Sequence, residues 1–277
     1  MDDERHAQIS AALHRYRETV TRHNLTLLRT LVEAVEEKPA PKYRSEEEVQ
    51  YLRLRMLDFS CGPVSDLIKS PRDLLSDDIR DEVVSQTALD GVSPCENDLE
   101  EREKWFAAVR ARIAEVNVEV AEFPPADLAY LCTLVSGIIG PGFFYHHLSQ
   151  QIEFVTALAD ATSSLSGRVI VPVRYNENEK YDPRSESQCN PLRFLWEDWE
   201  IAVAFQIGEA PWPGGSFALY CRKEDSAKQW KWRYGLHDDG WYSDVYDSVE
   251  HFLDYYAHFR EQTTEEVLEY VRNHSLE

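Results

Sequence analysis

The fold is decided by the stretch Gln229-Trp230-Lys231-Trp232-Arg233-Tyr234, in which large aromatic residues alternate with cationic ones. Successive side chains of a β-strand point to opposite faces, so a period of two predicts a strand with one aromatic and one charged face. Such a strand is typical of an antiparallel sheet that packs one face on a core and leaves the other in water. Apolar runs at 168–175, 201–205 and 217–221 predict the neighbouring strands.

The residues around these strands predict their connections. Trp212-Pro213-Gly214-Gly215 and His237-Asp238-Asp239-Gly240 carry turn residues and are expected to join strands. The polar segment 176–191 predicts a loop. After the sheet, helices are predicted to open at Asp247 and at Thr263, because each residue is followed three positions later by a glutamate.

The chain before the sheet has the 3.6-residue periodicity of amphipathic helices. It predicts one helix over 2–37, a second from the capping residue Ser45, a third over about 77–89 and a fourth from Asp98 to about residue 120. No strand pattern interrupts this part of the sequence. The first part of the chain is therefore expected to be all-helical.

A new unit is predicted from Pro124-Pro125, because proline fits the first turn of a helix. Apolar helices are expected over 126–135 and about 144–160. The sequence thus predicts an α+β protein, with an all-helical region over residues 1–122. An α+β domain over residues 123–277 follows, in which a small antiparallel sheet packs against helices.

The chain is strongly acidic. Its 277 residues include 50 aspartates and glutamates against 29 lysines and arginines, a formal net charge of −21, and 43% of the residues are hydrophobic. That apolar content is enough for a folded core. Negative charge repels phosphate backbones and anionic lipids, so we expect neither nucleic acid nor a membrane as a partner. It favours a basic protein as partner, although solubility alone is the simpler explanation.

The five cysteines indicate a reducing environment. Their number is odd, they form no Cys-x-x-Cys pair, and Cys132 and Cys221 lie in apolar segments, so all five are expected to be reduced. The acidic start of the chain lacks the apolar core of a secretory signal. The most apolar stretch, 128–145, is interrupted by glycine and proline and is too short to span a bilayer. These features predict a cytoplasmic protein, with the nucleus as an open alternative.

No motif points to catalysis. The sequence lacks the nucleophile-elbow, zinc-protease, Walker and dinucleotide-binding motifs. Neighbouring His146 and His147 diverge on a helix, and the turn His237-Asp238-Asp239 offers too few converging ligands for zinc. The glycine-rich segment 137–142 predicts a helix end and turn, because it lacks the lysine of a phosphate-binding loop. We therefore expect no cofactor and no metal, and we assign no catalytic residue.

Tryptophans concentrate in the sheet region, where six of the seven lie between Trp196 and Trp241. Strict alternation favours core positions for Trp230 and Trp232. Trp212 and Trp241 lie in or beside turns, where a large ring is hard to bury, so they are either exposed binding anchors or core residues. Neighbouring carboxylates complete the predicted binding face, which consists of Trp212, Trp241, Asp238, Asp239 and Asp244.

Three local stretches resemble a known family. Phe123-Pro124-Pro125-Ala126-Asp127-Leu128, with Leu131 and Ser136-Gly137, resembles its opening helix and terminating glycine. Phe217 to Tyr220 resembles its central strand, and Asp247-Ser248-Val249 with Phe252-Leu253 resembles its closing helix. The family is the SUKH superfamily, which includes fungal cell-wall regulators of the Smi and Knr type and many bacterial toxin-immunity proteins. The resemblance covers residues 123–259 and implies an α+β binding domain without catalysis.

These features predict a non-catalytic protein-binding module that acts as a regulator, a scaffold or an inhibitor-like partner of a basic protein. The alternative is an enzyme whose site lies beside the tryptophan-rich sheet, under the loop 176–191. A deep cleft with converging polar groups and shifted pKa values would favour the enzyme. An acidic face studded with exposed aromatic side chains would favour the binding module.

Overall fold

The computed structural model describes residues 3–57, 62–142, 152–158, 169–170, 198–210, 214–223, 229–238 and 241–276. Within these ranges the chain forms α-helices and one antiparallel sheet, which confirms the predicted α+β class. The helices are α1 (Asp3–Glu37), α2 (Glu46–Met56), α3 (Arg80–Gln86), α4 (Leu99–Glu115), α5 (Ala126–Leu134), α6 (Val249–Tyr256) and α7 (Thr264–Asn273). Short 3-10 helices span Gly62–Leu67, Pro71–Leu75 and Asp77–Ile79.

The helix starts that rest on local capping chemistry are where the sequence predicts them. Before α2, the Ser45 hydroxyl accepts from the Glu48 amide at 3.2 Å, and the Glu48 carboxylate accepts from the Ser45 amide at 2.8 Å. Before α7, the same reciprocal pair joins Thr263 and Glu266. Each pair satisfies two amide donors that the helix leaves without partners, so the start is fixed by residues within one turn.

Helix α4 ends earlier than its apolar periodicity predicts. Asp98 caps its start, and Val109 and Ile113 are buried. The helix stops at Glu115, however, and Val116 is exposed. Asn117 has a φ of 54°, the left-handed conformation that commonly ends helices and that asparagine tolerates well. The prediction that this helix extends to about residue 120 is therefore wrong.

The sheet has five antiparallel strands in chain order. They are β1 (Val169–Ile170), β2 (Trp199–Gly208), β3 (Gly215–Lys223), β4 (Lys231–Asp238) and β5 (Trp241–Tyr242). The long pair β3–β4 places Tyr220 opposite Trp232 and Leu219 opposite Arg233. Irregular register in β2 between Ile201 and Val203 shifts which of its side chains share a face.

The prediction that the charged face of β4 lies in water is wrong at Arg233. This side chain is only 1% exposed. Its guanidinium donates to the Asp247 carboxylate at 2.6 Å and to the Cys221 carbonyl, and it lies 4.7 Å from the Trp199 ring centroid. A buried guanidinium is tolerated when its donors are satisfied in this way. Lys231, the other cation of the pattern, is exposed as expected.

The helix predicted over about 144–160 is wrong for its last part. Residues 143–151 lie outside the described residues, and 152–158 contain no helix but an isolated antiparallel bridge at Val155. The Ile138 amide donates to the Val155 carbonyl at 2.7 Å, and the Thr156 amide donates to the Ile207 carbonyl at 3.1 Å. This backbone lies so close to β2 that a Cβ at Gly208 would fall 1.8 Å from the Glu153 carbonyl oxygen. Pairing across the chain therefore overrides the local apolar pattern.

Contacts divide the chain into two compact units. The first unit comprises Met1–Leu13, Cys95–Ile139 and Gln150–Asp254, and the second comprises His14–Pro94, Gly140–Ser149 and Tyr255–Glu277. Each unit is assembled from three separate stretches. The boundary predicted from sequence at residues 122 and 123 concerns independent folding, and it stays a prediction.

The first unit contains the sheet with an aromatic core on one face. Phe205 and Trp232 pack with ring centroids 5.4 Å apart, and Phe123 and Trp105 join them at 5.5 and 5.7 Å from Phe205. The second unit has an aliphatic core in which α1, α2 and α7 bury leucine, valine and methionine side chains. Among the helices of the described ranges, none combines the length and apolarity needed to cross a membrane.

Candidate functional site

The predicted binding face is described in part. Trp212 and Asp239 lie outside the described residues, as does the loop 176–191. Trp241 forms β5 opposite Asp238, and its side chain is 46% exposed; the neighbouring Tyr242 is 43% exposed. Asp244 follows on the surface. The edge of the sheet thus carries two adjacent, accessible aromatic rings with carboxylates nearby.

A second candidate site is a cavity of about 380 Å³ in the first unit, beside the opposite end of β4. Five residues of β4, 233–237, separate the lining residue Trp232 from Asp238, a distance of roughly 20 Å along the strand. Its walls combine aromatic rings, charged side chains and the start of α5. The lining residues are Arg5, Ala121, Glu122, Pro125, Ala126, Asp127, Tyr220, Trp230, Lys231 and Trp232.

The aromatic wall of the cavity is anchored on β3. The Trp230 ring stacks on Tyr220 with centroids 5.7 Å apart, and the Arg222 guanidinium lies 4.9 Å from the Trp230 ring centroid. Glu200 holds Arg222 at 2.6 and 2.7 Å. Trp230 immediately precedes β4 and is only partly buried, whereas Trp232 is a core residue. Trp230 is therefore the ring that a ligand can reach.

The polar groups of the buried rings Trp232 and Tyr220 are hydrogen-bonded to the backbone of residues 121–122. The Trp232 indole donates to the Glu122 carbonyl at 2.9 Å, and the Ala121 amide donates to the Tyr220 hydroxyl at 3.2 Å. These bonds hold residues 121–122 over the aromatic wall. Within the part of the chain that the structure describes, the indole N–H of Trp230 makes no hydrogen bond.

Asp127, which lines the cavity, joins three elements. From the first turn of α5, its carboxylate accepts from the Tyr234 hydroxyl on β4 at 2.6 Å and from the Val249 amide at the start of α6 at 3.1 Å. Burial raises the pKa of Tyr234, and the Asp127 charge raises it further, so the phenol stays protonated and donates. The predicted cap of α6, Asp247, is wrong, because Asp247 binds Arg233 instead.

Both cations at the rim are neutralised by carboxylates. Arg5 lies between Glu250, to which one of its nitrogens donates at 2.7 Å, and Asp127 at 4.0 Å. Lys231 lies 3.1 Å from the Asp247 carboxylate. Partial burial opposes the charged form of Asp247, but hydrogen bonds from Arg233 and Lys231 outweigh it and lower the pKa.

The remaining rim charge is the exposed carboxylate of Glu122. In the described ranges this carboxylate makes no hydrogen bond or ion pair, since only the main chain of Glu122 is bonded. The unpaired charge among the lining residues is therefore negative. That sign matches the net charge of −21 of the whole chain.

The shifted pKa values in the described ranges do not indicate an activated nucleophile. Burial raises the pKa of Cys132, and it raises that of Cys221 to about 12. Thiols with raised pKa values carry little thiolate at neutral pH and react slowly. Among the described residues, Cys95, Cys132 and Cys221 form no disulfide. The described ranges also bring no three histidine, cysteine or carboxylate side chains together in a way that could hold a metal ion.

The second unit has a polar cavity of about 440 Å³ at the end of α1. Arg53 donates to the carbonyls of Glu36 at 2.6 Å and Lys38 at 3.2 Å, and Arg72 pairs with the Glu36 carboxylate. Arg53 thereby satisfies carbonyls that the helix end leaves without partners. These polar groups stabilise the end of α1 and its contact with α2.

Comparison of the chain with family models, with curated proteins and with solved structures gave no match.

Sequence reasoning did not find the cavity. The alternation at 229–234 indicates core positions for its tryptophans, and it cannot show that Trp230 precedes the strand and stays partly exposed. Glu122 and Asp127 precede Trp230 by about a hundred positions and meet it only through the fold. The proline pair at 124–125, which orients the start of α5, was the one local signal near these carboxylates.

Proposed function

We propose that this chain is a non-catalytic protein-binding module for a basic partner and that Trp241 and Tyr242 anchor that partner. The observation that carries the proposal is the near-half exposure of two adjacent large rings at the edge of a sheet whose other described rings are mostly buried. Rings that lose water on binding are the commonest energetic anchors of protein interfaces.

Charge and chemistry support a basic partner and a binding role. The net charge of −21 attracts positively charged proteins, and Asp244 places a carboxylate beside the anchors. The resemblance of residues 123–259 to the SUKH superfamily fits a regulator or inhibitor-like partner. The free, buried Cys132 and Cys221 are compatible with a cytoplasmic setting.

The test compares Trp241→Ala with Tyr43→Ala as a matched control. Tyr43 is a fully exposed ring in the second unit, far in sequence from the proposed face. A partner is first captured from source cells with the unaltered chain, and its Kd is then measured by calorimetry for each variant. Trp241→Ala is expected to weaken binding by about 2 kcal/mol while changing stability by less than about 0.5 kcal/mol.

The Tyr43→Ala control should bind the partner with unchanged Kd. Raising salt from low to physiological concentration should weaken binding of the unaltered chain, because the attraction between opposite charges is screened. Equal Kd values for Trp241→Ala and the unaltered chain would place the partner on another surface. A large loss of stability in Trp241→Ala would assign the ring to the core.

A further inference from the structure

We propose that the cavity beside Trp230 binds the guanidinium group of an arginine side chain on a basic partner protein. The group would lie on the indole ring, with the Glu122 carboxylate as its counter-charge. This inference deepens the proposed function by giving the partner a second point of attachment. It uses residues separate from Trp241, so the two can fail independently.

The Trp230 ring already accepts one guanidinium. Arg222 and Tyr220 are two positions apart on β3 and share one face of the sheet, and both contact the ring, at 4.9 and 5.7 Å between centres. An indole ring attracts cations through the negative potential of its face, and tryptophan is the strongest of the aromatic residues in this respect. Trp230 is only partly buried, and it lines the cavity.

The charges around the cavity favour a cation as the ligand. Arg5 and Lys231 also line it, but Glu250 and Asp247 neutralise them, and neither of those carboxylates lines the cavity. Glu122 also lines the cavity, and it is exposed. A guanidinium offers the donors that a carboxylate binds in pairs, and its flat shape suits an indole face.

The size of the cavity fits one side chain. At about 380 Å³ it is near the lower limit of ligand pockets, which span roughly 300–1,000 Å³. The buried rings of Tyr220 and Trp232 line it, and the Tyr220 hydroxyl and the Trp232 indole N–H are already bonded to residues 121–122. The Asp127 carboxylate is already bonded to Tyr234 and Val249, so a ligand finds an aromatic surface and the carboxylate of Glu122. These groups match an aliphatic side chain that ends in a cation.

The experiment uses the full chain with indole-labelled tryptophan and follows the Trp230 N–H signal by NMR. The probes are the blocked tripeptide Gly-Arg-Gly and its counterpart with citrulline, which has the same shape without the charge. The signal is assigned from its loss in Trp230→Phe. The arginine peptide is expected to shift this signal with at least fivefold higher affinity than the citrulline peptide, the size of an exposed cation–π contact of about 1 kcal/mol.

Variants that each remove one charge test whether the cavity binds a cation or an anion. Glu122→Gln should weaken arginine-peptide binding about threefold to tenfold, whereas Lys231→Gln should strengthen it, since it removes a cation. Glu119→Gln is the matched control, an exposed glutamate three positions away that does not line the cavity, and it should leave binding unchanged. Trp230→Leu should abolish the preference for arginine over citrulline.

The proposal fails if the two peptides bind with equal affinity, or if neither shifts the Trp230 signal. It also fails if Lys231→Gln weakens binding and Glu122→Gln strengthens it, which would indicate an anion site. The peptide shifts in the unaltered chain and the surface variant Glu122→Gln keep the test decisive if Trp230→Leu does not fold. Trp241→Ala should leave peptide binding unchanged, which separates this result from the test of the proposed function.

Discussion

Arg233 shows how a single residue changes role between sequence and structure. In the sequence it is a cation on the outward side of a strand, and in the fold it is buried under the Trp199 ring and bonded to Asp247. Asp247 is 45% exposed, so the pair is only partly removed from water. Its contribution to stability is therefore expected to be smaller than that of a fully buried pair.

The first prediction concerns the pH dependence of this ion pair. The pKa of Asp247 is lowered in the folded state, so its contribution is present above the unfolded pKa and is lost as pH falls through the folded pKa. Asp247→Asn is expected to reduce stability by about 1–2 kcal/mol at pH 7. It should also flatten the loss of stability between about pH 5 and pH 2, measured by urea unfolding.

The control for this prediction is Asp244→Asn, which removes a neighbouring exposed carboxylate outside the ion pair. It should leave the unfolding free energy at pH 7 within about 0.5 kcal/mol of the unaltered value. If Asp247→Asn and the unaltered chain lose stability in parallel as pH falls, the Arg233–Asp247 pair does not contribute to acid sensitivity.

At the scale of elements, Asp127 joins α5, β4 and α6 of the first unit. Its carboxylate is the acceptor for the buried Tyr234 hydroxyl and for the amide of Val249. A buried donor that loses its acceptor costs its full desolvation, whereas loss of both partners costs much less. The Asp127–Tyr234 pair is therefore expected to be strongly coupled.

The second prediction is a double-mutant cycle on this pair. Asp127→Ala is expected to destabilise the chain by about 2–4 kcal/mol, because it removes the acceptor of both the Tyr234 phenol and the Val249 amide. Tyr234→Phe should cost about 1 kcal/mol. The double variant should cost less than the two single changes added together, by at least about 1 kcal/mol, as measured by urea unfolding. Asp66→Ala, an exposed aspartate in the second unit, should be additive with Tyr234→Phe.

Elements that depend on their own residues were predictable, and elements that depend on distant ones were not. The starts of α2 and α7 are fixed by capping boxes within one turn, so Ser45 and Thr263 identify them in the sequence. Residues 152–158 have apolar spacing compatible with a helix, yet their amides and carbonyls pair with residue 138 and the end of β2. At the start of α6, the Ser248 hydroxyl accepts from the His251 amide, one residue after the predicted cap Asp247, and Asp127 from α5 accepts from the Val249 amide.

The two candidate sites also differ in how far the sequence predicts them. For Trp241, the position beside a turn left exposure and burial open, and the structure shows a ring that is 46% exposed. The cavity did not follow from sequence, since its rings and its carboxylates come from β3, β4 and the start of α5. Only the packed sheet brings these distant residues to one place.

At the scale of the whole molecule, the two compact units are interleaved along the chain. The first unit takes residues 95–122 from the region that the sequence assigns to a helical domain. Those residues include α4, whose Trp105 and Phe106 are buried and contact Phe205 and Phe123 at 5.7 and 6.2 Å between ring centroids. The core of the sheet thus depends on a helix that lies before the predicted boundary.

The third prediction is that the fragment 123–277 does not fold on its own. Without α4 it exposes the aromatic core around Phe123 and Phe205, and loss of one such ring alone typically costs about 3–5 kcal/mol, a large share of the stability of a domain. The fragment should show poor amide dispersion by NMR and no cooperative thermal transition, whereas the full chain shows both. A well-dispersed spectrum of the fragment would instead support the boundary at residues 122 and 123. It would mean that the packing of Trp105 and Phe106 on the sheet adds stability without being required for the fold.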